Sequence, residues 1–296
     1  MNFYPPPETI IAKVYCEIPK SLRCVGESTE WLAAAKSKVD DIFLEGPLVD
    51  KQGNLYVVDI PFGRVLKISP DGHAECSARW DGEPNGLALL SDGRMGIMLF
   101  DPQDNTVVPH LTRRNLERFK GPNDLIVDSK GNIYFTDQGQ TGMTDPTGRV
   151  YRYSPDKKLD CLVDNGASPN GLVLSPDEEV LYVAMTRANQ VWRLPLHDNG
   201  TVTKVGVFFQ GFGMSGPDGL AVDQEGNLFI CMPGLGTVFV VDERGIPLMS
   251  IRGEEKKSFI TNCTFGGPEN KTLFMTSSID GKILKVDWHC PGARVA

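Results

Sequence analysis

The segment Gly216-Pro217-Asp218-Gly219-Leu220 recurs in altered form along the chain and decides the fold. Five other segments begin alike, with a polar residue followed by a small or polar residue and an apolar run: Glu45-Gly46-Pro47-Leu48, Pro84-Asn85-Gly86-Leu87, Pro122-Asn123-Asp124-Leu125, Pro169-Asn170-Gly171-Leu172 and Thr261-Asn262-Cys263-Thr264. Successive polar residues lie 40, 38, 47, 48 and 44 positions apart. A period of about 43 residues is typical of propeller blades with four strands each.

Each repeat continues with a turn and further strand-like runs. In the third repeat the turn is Asp128-Ser129-Lys130-Gly131-Asn132, in which glycine supplies the positive φ that the turn needs. The β-rich run Ile133-Tyr134-Phe135-Thr136 follows, and Arg149-Val150-Tyr151-Arg152-Tyr153 then alternates polar and apolar residues. Alternation with a period of two predicts half-buried strands. The second repeat, with Met95 to Leu99 and Thr106 to Val108, matches this pattern more weakly.

The repeats predict an all-β fold, a six-bladed β-propeller that forms one domain over residues 1–296. A sheet of three or four strands cannot bury both faces alone, whereas six sheets arranged radially share one core. The predicted blades cover residues 45–82, 83–120, 121–167, 168–215, 216–259 and 260–292. The last repeat has only three strands, so we expect the isolated strand at 13–18 to close the ring as its outermost strand. Residues 28–39 predict one short helix with Ser28 as its N-cap.

Composition excludes several classes of protein. Apolar residues make up 41% of the 296 residues and charged residues 23%, which is ordinary for a globular protein. The net charge of −8 argues against nucleic acid and anionic membrane as partners. The chain has no run long enough to span a membrane and begins with no targeting signal. Its seven cysteines form no C-x-x-C pair, which favours free buried thiols and a cytoplasmic location.

The repeated polar position predicts a polar ring at one end of the central channel. The first strand of each blade lines the channel, so six side chains point towards one axis: Glu45, Asn85, Asn123, Asn170, Asp218 and Asn262. A single Asn-Gly or Asp-Gly pair is usually only a turn. In this set, however, the polar residue is present even in the repeats where another residue replaces the glycine that follows it. Two carboxylates among amide oxygens suit Ca²⁺ and, less well, Mg²⁺ or Mn²⁺.

The sequence resembles the senescence marker protein 30/gluconolactonase family of six-bladed propeller lactonases and related hydrolases. The resemblance covers roughly residues 40 to 290 and rests on five motifs: Leu44-Glu45-Gly46-Pro47, Gly121-Pro122-Asn123-Asp124-Leu125, the run from Gly131 to Asp137, Ser168-Pro169-Asn170-Gly171-Leu172 and Gly216-Pro217-Asp218-Gly219-Leu220. Carried over by motif, it implies that Glu45, Asn123, Asn170 and Asp218 hold one divalent cation, with Ca²⁺ favoured and Mg²⁺, Mn²⁺ or Zn²⁺ as alternatives.

The resemblance further implies hydrolysis of a lactone or a related cyclic ester, a small-molecule substrate. The cation would polarise the carbonyl group, and Asp218 would act as general base or as direct nucleophile. Asn85, Asn262 and Arg187 are candidates for substrate contacts. Sugar lactonases of the family often carry an arginine two residues before Asn123, where this chain has Gly121, so the match is better to the gluconolactonase-like branch with varied substrates.

Two other functions fit the repeat. NHL-type propellers, which bind proteins or RNA, contain sequences similar to Gly53-Asn54-Leu55-Tyr56-Val57-Val58-Asp59. Propellers of the strictosidine synthase type use a lone glutamate and no metal. The pairing of Glu45 with Asp218 favours the metal-dependent hydrolase. Asp59 and Asp137, which end the second strands of their blades, are expected to serve as hydrogen-bonding residues in turns or between blades.

Overall fold

The computed structural model describes residues 7–35, 39–90, 97–254 and 258–293, and they form an almost entirely β structure. The strands are β1 (Glu8–Glu17), β2 (Leu44–Val49), β3 (Leu55–Asp59), β4 (Arg64–Ile68), β5 (Ala74–Arg79), β6 (Met98–Asp101), β7 (Thr106–Pro109), β8 (Arg113–Arg114), β9 (Glu117–Arg118), β10 (Pro122–Val127), β11 (Ile133–Asp137), β12 (Gly148–Tyr153), β13 (Leu159–Gly166), β14 (Pro169–Leu174), β15 (Val180–Met185), β16 (Gln190–Pro195), β17 (Gly206–Gln210), β18 (Leu220–Val222), β19 (Leu228–Met232), β20 (Thr237–Val241), β21 (Pro247–Gly253), β22 (Ile260–Gly266), β23 (Thr272–Ser277) and β24 (Lys282–Asp287).

The helices are few and short. One α-helix, α1, covers Glu30–Ala35, and five 3₁₀ turns cover Lys20–Leu22, Ile60–Phe62, Thr186–Ala188, Pro233–Leu235 and Pro268–Asn270. The N-cap prediction is wrong by one residue, because the Leu32 amide donates to Thr29 Oγ1 (3.2 Å) and so Thr29 rather than Ser28 caps the helix. The predicted end, towards residue 39, falls partly outside the described residues. No helix in the described ranges is long and apolar enough to cross a membrane.

Aspartate-led turns join the first and second strands of the units. In the first unit Asp50 Oδ1 accepts hydrogen bonds from the Gln52 and Asn54 amides, at 2.9 and 2.8 Å. Gly53 completes the turn with a φ of 84°, a conformation that side chains disfavour. The same bonds form around Asp128 and Asp223, so the repeated turn of the sequence is one recurring structure.

Five of the six repeats form antiparallel strands in chain order. The sheets are β2-β3-β4-β5, β10-β11-β12-β13 and β14-β15-β16-β17, followed by β18-β19-β20-β21 and β22-β23-β24, which belong to one larger sheet. The second repeat differs, because its described residues form the hairpins β6-β7 and β8-β9 and a bridge at Leu89 but no four-stranded sheet. Residues 83–88 lie in no strand, so the expected first strand of this unit is absent there. Residues 95 and 96 of its predicted run lie outside the described residues.

Contacts between consecutive units run around a closed ring. At the first junction Gly46 packs against the backbone carbonyl of Asn85. The other five junctions each carry a hydrogen bond: Gly86 N to Asn123 O (2.7 Å), Thr136 Oγ1 to Asn170 O (2.8 Å), Thr186 Oγ1 to Pro217 O (2.8 Å), Gly219 N to Thr261 O (2.8 Å) and Thr261 Oγ1 to Leu44 O (3.2 Å). The all-β propeller prediction is confirmed. We propose that the six units are the blades of a single domain, with boundaries near those given by the repeat.

The N-terminal strand closes the ring, as predicted, but it is longer and has two partners. Residues 8–12 of β1 pair in parallel with β21, the last strand of the fifth unit. Residues 13–17 pair antiparallel with β24, and the register shifts between Val14 and Cys16. The strand therefore joins the fifth and sixth units into one eight-stranded sheet rather than completing the sixth alone.

Apolar side chains between the sheets form the core, with Phe135, Tyr151 and Phe229 fully buried. All seven cysteines are free thiols; five are buried, whereas Cys161 is partly and Cys76 fully exposed. The hydrogen-bonding role expected for Asp59 and Asp137 is confirmed. Asp59 Oδ1 accepts from the Phe43 amide (2.9 Å), and Asp137 Oδ1 accepts from the Gly121 amide (2.8 Å). Each bond fixes the segment that leads into the first strand of the same unit.

Candidate active site

Strand register shows which residues of the repeat are equivalent. Leu125 pairs with Phe135, Leu172 with Val183 and Leu220 with Ile230, each on the second strand of its own unit. Two positions before each of these leucines stand the polar residues Asn123, Asn170 and Asp218. In the first unit Glu45 pairs with Val58 on the second strand, and the register shifts between Glu45 and Leu48. With this shift taken into account, Glu45 occupies the same structural position as the three polar residues above. The predicted position is therefore one structural position in these four units.

The sixth unit corrects the prediction for Asn262. Cys263 pairs with Met275 as Leu125 pairs with Phe135, so Asn262 is the equivalent of Asp124 and Thr261 that of Asn123. The hydrogen bonds agree: the amides of Asp124 and Asn262 donate to Thr136 and Thr276 Oγ1, both at 3.1 Å. The polar position of the sixth unit is thus Thr261, whose hydroxyl is buried against Leu44 O and the Ser278 hydroxyl.

Asn262 and Asp124 form a second layer in the channel. The other units have glycine at this position: Gly46, Gly86, Gly171 and Gly219. These glycines make room, because a Cβ atom on Gly219 would overlap Asn262 Oδ1 and one on Gly86 would overlap Asp124 Oδ1. Asn262 Nδ2 donates to Asp124 Oδ2 at 3.3 Å, from the sixth unit to the third. This bond spans the channel, because the third and sixth units face each other in a ring of six.

Sequence reasoning missed Asp124 as a channel residue. The signal was present, since Pro122-Asn123-Asp124-Leu125 carries a carboxylate where Pro169-Asn170-Gly171-Leu172 and Pro217-Asp218-Gly219-Leu220 carry glycine. Asp124 Oδ1 also accepts from the Leu125 amide (2.9 Å). Burial raises the pKa of Asp124 to about 6, against the effect of these donors.

Glu45 is the most buried carboxylate of the first layer, with 5% of its surface exposed. Its Oε2 accepts a hydrogen bond from the Gly46 amide at 3.2 Å, and the Thr261 side chain lies near enough to lower the pKa of this carboxylate. Burial raises the pKa of Glu45 well above its usual value, and the negative charges of Asp218 and Asp124 raise it further. Glu45 is thus a buried acid in a strongly negative environment.

Asp218 lies next to Asn170, which donates a hydrogen bond to its carboxylate. Burial raises the pKa of Asp218 to about 7, and the charge of Asp124 adds to this rise. The Asn170 hydrogen bond and the positive charge of Arg187 act in the opposite direction. The net effect of burial and the neighbouring charges is a carboxyl group that holds its proton more tightly than an exposed aspartate does.

Asn123 is held by a side chain that the sequence did not single out. Its amide nitrogen Nδ2 donates to Gln138 Oε1 at 3.1 Å, and Gln138 Nε2 donates in turn to Ser168 Oγ at 3.0 Å. This chain of bonds uses the amino group of Asn123, which leaves the carbonyl oxygen Oδ1 available as a ligand. Gln138 directly follows Asp137 at the end of β11, so it is placed by the same strand that fixes Gly121.

A family model for the SMP-30/gluconolactonase/LRE-like region matches residues 43–279. The chain belongs to this family. Lactonase drp35 of Staphylococcus haemolyticus is 31% identical over 271 residues, which cover 84% of this chain and 82% of that protein. The family resemblance seen in the repeat motifs is confirmed.

Solved structures of the SMP-30/gluconolactonase family have the same fold. A gluconolactonase from Xanthomonas campestris is 26% identical, with a TM-score of 0.72 over 97% of this chain and 99% of that one. The calcium-binding protein regucalcin from Agrobacterium tumefaciens is 21% identical, with a TM-score of 0.74 over 98% of this chain and the whole of that one.

The channel residues fit the divalent cation that the family resemblance implies. Glu45, Asn123, Asn170 and Asp218 offer only oxygen ligands, two of them charged, which is the donor set of Ca²⁺ and related hard cations. Burial raises the pKa values of both Glu45 and Asp218; the charge of Asp218 raises that of Glu45 further, and the charge of Asp124 adds to both. A cation bound by these carboxylates would offset their burial and the repulsion among them.

The candidate substrate residues lie in different places. Arg187 is exposed in the turn that follows β15, and its positive charge lowers the pKa of Asp218. Asn85 is partly buried and borders a cavity together with Asn123 and Asp124. Asn262 lies one layer below the first-layer residues, where it contacts Asp124. Of the three residues, Arg187 and Asn85 are therefore better placed than Asn262 to contact a substrate.

A second acidic cluster has a structural explanation. Ligand atoms of Asp223, Glu225 and Cys290 lie within 4.8 Å of one another, the one such group of acidic, cysteine or histidine side chains in the part of the chain that is described. Asp223, however, already accepts four hydrogen bonds: from the amides of Glu225 and Asn227, from Asn227 Nδ2 and from Trp288 Nε1. Its carboxylate therefore anchors the turn of the fifth unit and the C-terminal segment.

Proposed function

We propose that this protein is a hydrolase that depends on a divalent cation and opens a lactone or a related cyclic ester. One observation carries the proposal: Glu45 and Asp218 lie in one channel, near enough that the charge of Asp218 raises the pKa of Glu45. The family supports the activity, since relatives include a lactonase and a gluconolactonase. Membership of this family favours hydrolysis over the NHL-like and strictosidine synthase-like alternatives.

Four residues would hold the cation: Glu45, Asn123, Asn170 and Asp218. Glu45 and Asp218 supply the negative charge, while Asn123 contributes an oxygen whose orientation Gln138 fixes. Ca²⁺ suits this set best, and Mg²⁺, Mn²⁺ or Zn²⁺ are the alternatives to test. When bound, the cation would polarise the lactone carbonyl and stabilise the negative charge that develops on its oxygen.

Asp218 would carry the proton chemistry. As a general base, its carboxylate accepts a proton from a water molecule while the water oxygen bonds to the carbonyl carbon. The ring C–O bond then breaks, and the proton held by Asp218 passes to the departing ring oxygen, giving a hydroxy acid. As a nucleophile, Asp218 would instead form an acyl-enzyme that water hydrolyses. Both routes need the ionised carboxylate, which the positive charge of a bound cation would favour.

We expect the substrate to be a small molecule. The net charge of −8 argues against nucleic acid as a partner, as in the sequence-based prediction. The cytoplasmic location is likewise a prediction from the sequence.

The test combines metal analysis with a variant of Glu45. Protein purified without added salts is expected to hold about one divalent cation per chain, and removing it should abolish lactone hydrolysis until Ca²⁺ or another cation is restored. Glu45→Gln removes one of two charged ligands, so we expect cation affinity to fall at least about tenfold. Glu269→Gln, an exposed control with 75% of its side chain accessible, should bind as the wild type does.

Two results would contradict the proposal. Full hydrolysis by protein stripped of cations would exclude metal dependence. Calorimetry that gives Glu45→Gln the affinity of the wild type would remove Glu45 from the cation site.

A further inference from the structure

The described residues of the second unit pack less closely than those of the other units. Its residues 83–88 form no strand, whereas the corresponding residues of the third, fourth and fifth units lie in or directly before first strands. Leu87 follows Gly86 as Leu125 follows Asp124, yet Leu87 is only partly buried. Its counterparts Leu125, Leu172 and Leu220 are exposed by 8%, 3% and 6%. The irregular second unit therefore leaves apolar surface partly uncovered.

A cavity of about 400 Å³ lies at this place, between the first and third units. Its wall is mainly apolar and comes from all three units; it includes Val65, Leu87, Phe100, Val107, Leu111 and Phe119. The polar lining residues Asp81, Glu83, Thr112 and Arg118 are exposed, so they stand towards solvent. A pocket of this size with an apolar wall is typical of sites that bind small organic molecules.

The cavity borders the candidate active site. Asn123, a proposed cation ligand, lines the cavity, as do Asn85 and Asp124. A lactone whose carbonyl group lay near Asn123 and Asp218 could therefore extend a substituent into the apolar part of the cavity. Gly121, two residues before Asn123, offers no side chain that could bind hydroxyl groups.

Exposed apolar side chains also lie in two loops at one entrance to the channel. Met143 lies in the loop after β11, and Phe212 and Met214 lie in the loop before Gly216. Both loops are at the end of the sheets where β10, β14 and β18 begin, which is the end that carries Asp218. Such an entrance offers few partners to the hydroxyl groups of a sugar.

We infer that this cavity binds an alkyl or aryl substituent of the substrate, so that the enzyme acts on lactones with an apolar side group. The inference rests on the proposed function, because it assigns a substrate class to the same site. It predicts that kcat/KM rises along a series from γ-butyrolactone to γ-hexalactone, γ-octalactone and γ-decalactone. Each methylene group buried in the cavity should raise kcat/KM about fourfold until the space is filled.

Two substitutions on β7 form a matched test. Val107 lines the cavity, whereas its neighbour Val108 is 49% exposed on the other face of the strand. Val107→Trp should fill the cavity and remove most of the gain for γ-decalactone, while hydrolysis of γ-butyrolactone stays within about threefold of wild type. Val108→Trp should keep the full dependence on chain length. Leu111→Trp fills the same cavity from another segment and replaces Val107→Trp should that variant fail to fold.

A binding measurement separates this inference from the proposed function. The probes are 2-pyrrolidinone and 5-hexyl-2-pyrrolidinone, lactams of the same ring size that resist hydrolysis, titrated by calorimetry. Tighter binding of the hexyl compound that is lost in Val107→Trp supports the cavity, even in a protein that hydrolyses no lactone. Hydrolysis that is equally efficient for all four lactones, with equal binding of both lactams, would overturn the inference and leave the proposed function standing.

Discussion

Replacing Asp218 by asparagine tests the catalytic assignment most directly, because the channel contains its own control. Asp218→Asn keeps the size of the side chain and an oxygen ligand but removes the proton acceptor. General bases contribute about 10²–10⁴-fold to rates, equivalent to about 3–5 kcal/mol of transition-state stabilisation. We therefore expect kcat to fall at least about a hundredfold, measured by pH-stat with a cation concentration that saturates the variant.

The control is Asp124→Asn, which removes the same charge from the same channel. Asp124 already accepts hydrogen bonds from the Leu125 amide and Asn262 Nδ2, so it is held in the layer below. We expect kcat to change less than about tenfold. Because the charge of Asp124 raises the pKa of Asp218, the acidic limb of the pH–rate profile should move to lower pH in Asp124→Asn. Equal losses in the two variants, or near-wild-type hydrolysis by Asp218→Asn, would refute the role of Asp218.

Two further predictions concern stability. Burial raises the pKa values of Glu45, Asp124 and Asp218. Between about pH 4 and pH 7 the cation-free folded state therefore binds more protons than the unfolded chain, and the stability of the folded state falls as pH rises. The difference in melting temperature between cation-loaded and cation-stripped protein should consequently widen from pH 5 to pH 7.5; a constant difference would contradict this. Deleting residues 1–20 removes β1 and exposes the edges of β21 and β24, so cooperative thermal unfolding followed by circular dichroism should be lost. An unchanged midpoint would argue against closure by β1.

The repeat made most of the fold predictable, together with the shared structural position of four candidate site residues. Turn residues such as Asp50 and Gly53, and alternating runs such as that of β12, depend on local conformation and on a pattern with a period of two. Both are visible in the sequence. Glu45, Asn123, Asn170 and Asp218 could be aligned because a first strand begins within two residues of each of them.

Irregular pairing limited the remaining predictions. In the sixth unit Thr261 and Asn262 are both polar, and a register shift between Ile260 and Asn262 decides which one takes the repeat position. A slip of one residue places a side chain on the opposite face of a strand, so it cannot be judged from polarity alone. The pairing of β1 with β21 could not be predicted from the sequence either, because β21 is more than 200 residues away along the chain.

The missing strand of the second unit depends on tertiary structure as well. Leu87-Ala88-Leu89-Leu90 is as apolar as the first strands of the other units. Within the described residues β6 begins only at Met98 and pairs with β7, and residues 83–88 pair with no strand. Whether a short apolar run becomes a strand depends on an available partner, which local propensity does not reveal.

The two pairings of β1 set an order for folding during translation. Residues 8–17 leave the ribosome first, but their partners in β21 and β24 end at residues 253 and 287. At roughly 5–20 residues per second, about 14 to 60 seconds pass between synthesis of the strand and of its last partner. During that interval the nascent chain carries an unpaired strand with exposed valine and isoleucine side chains, which is the kind of segment that chaperones shield. The strand made first is thus the last to be paired, and synthesis of β24 is the step that allows the ring to close.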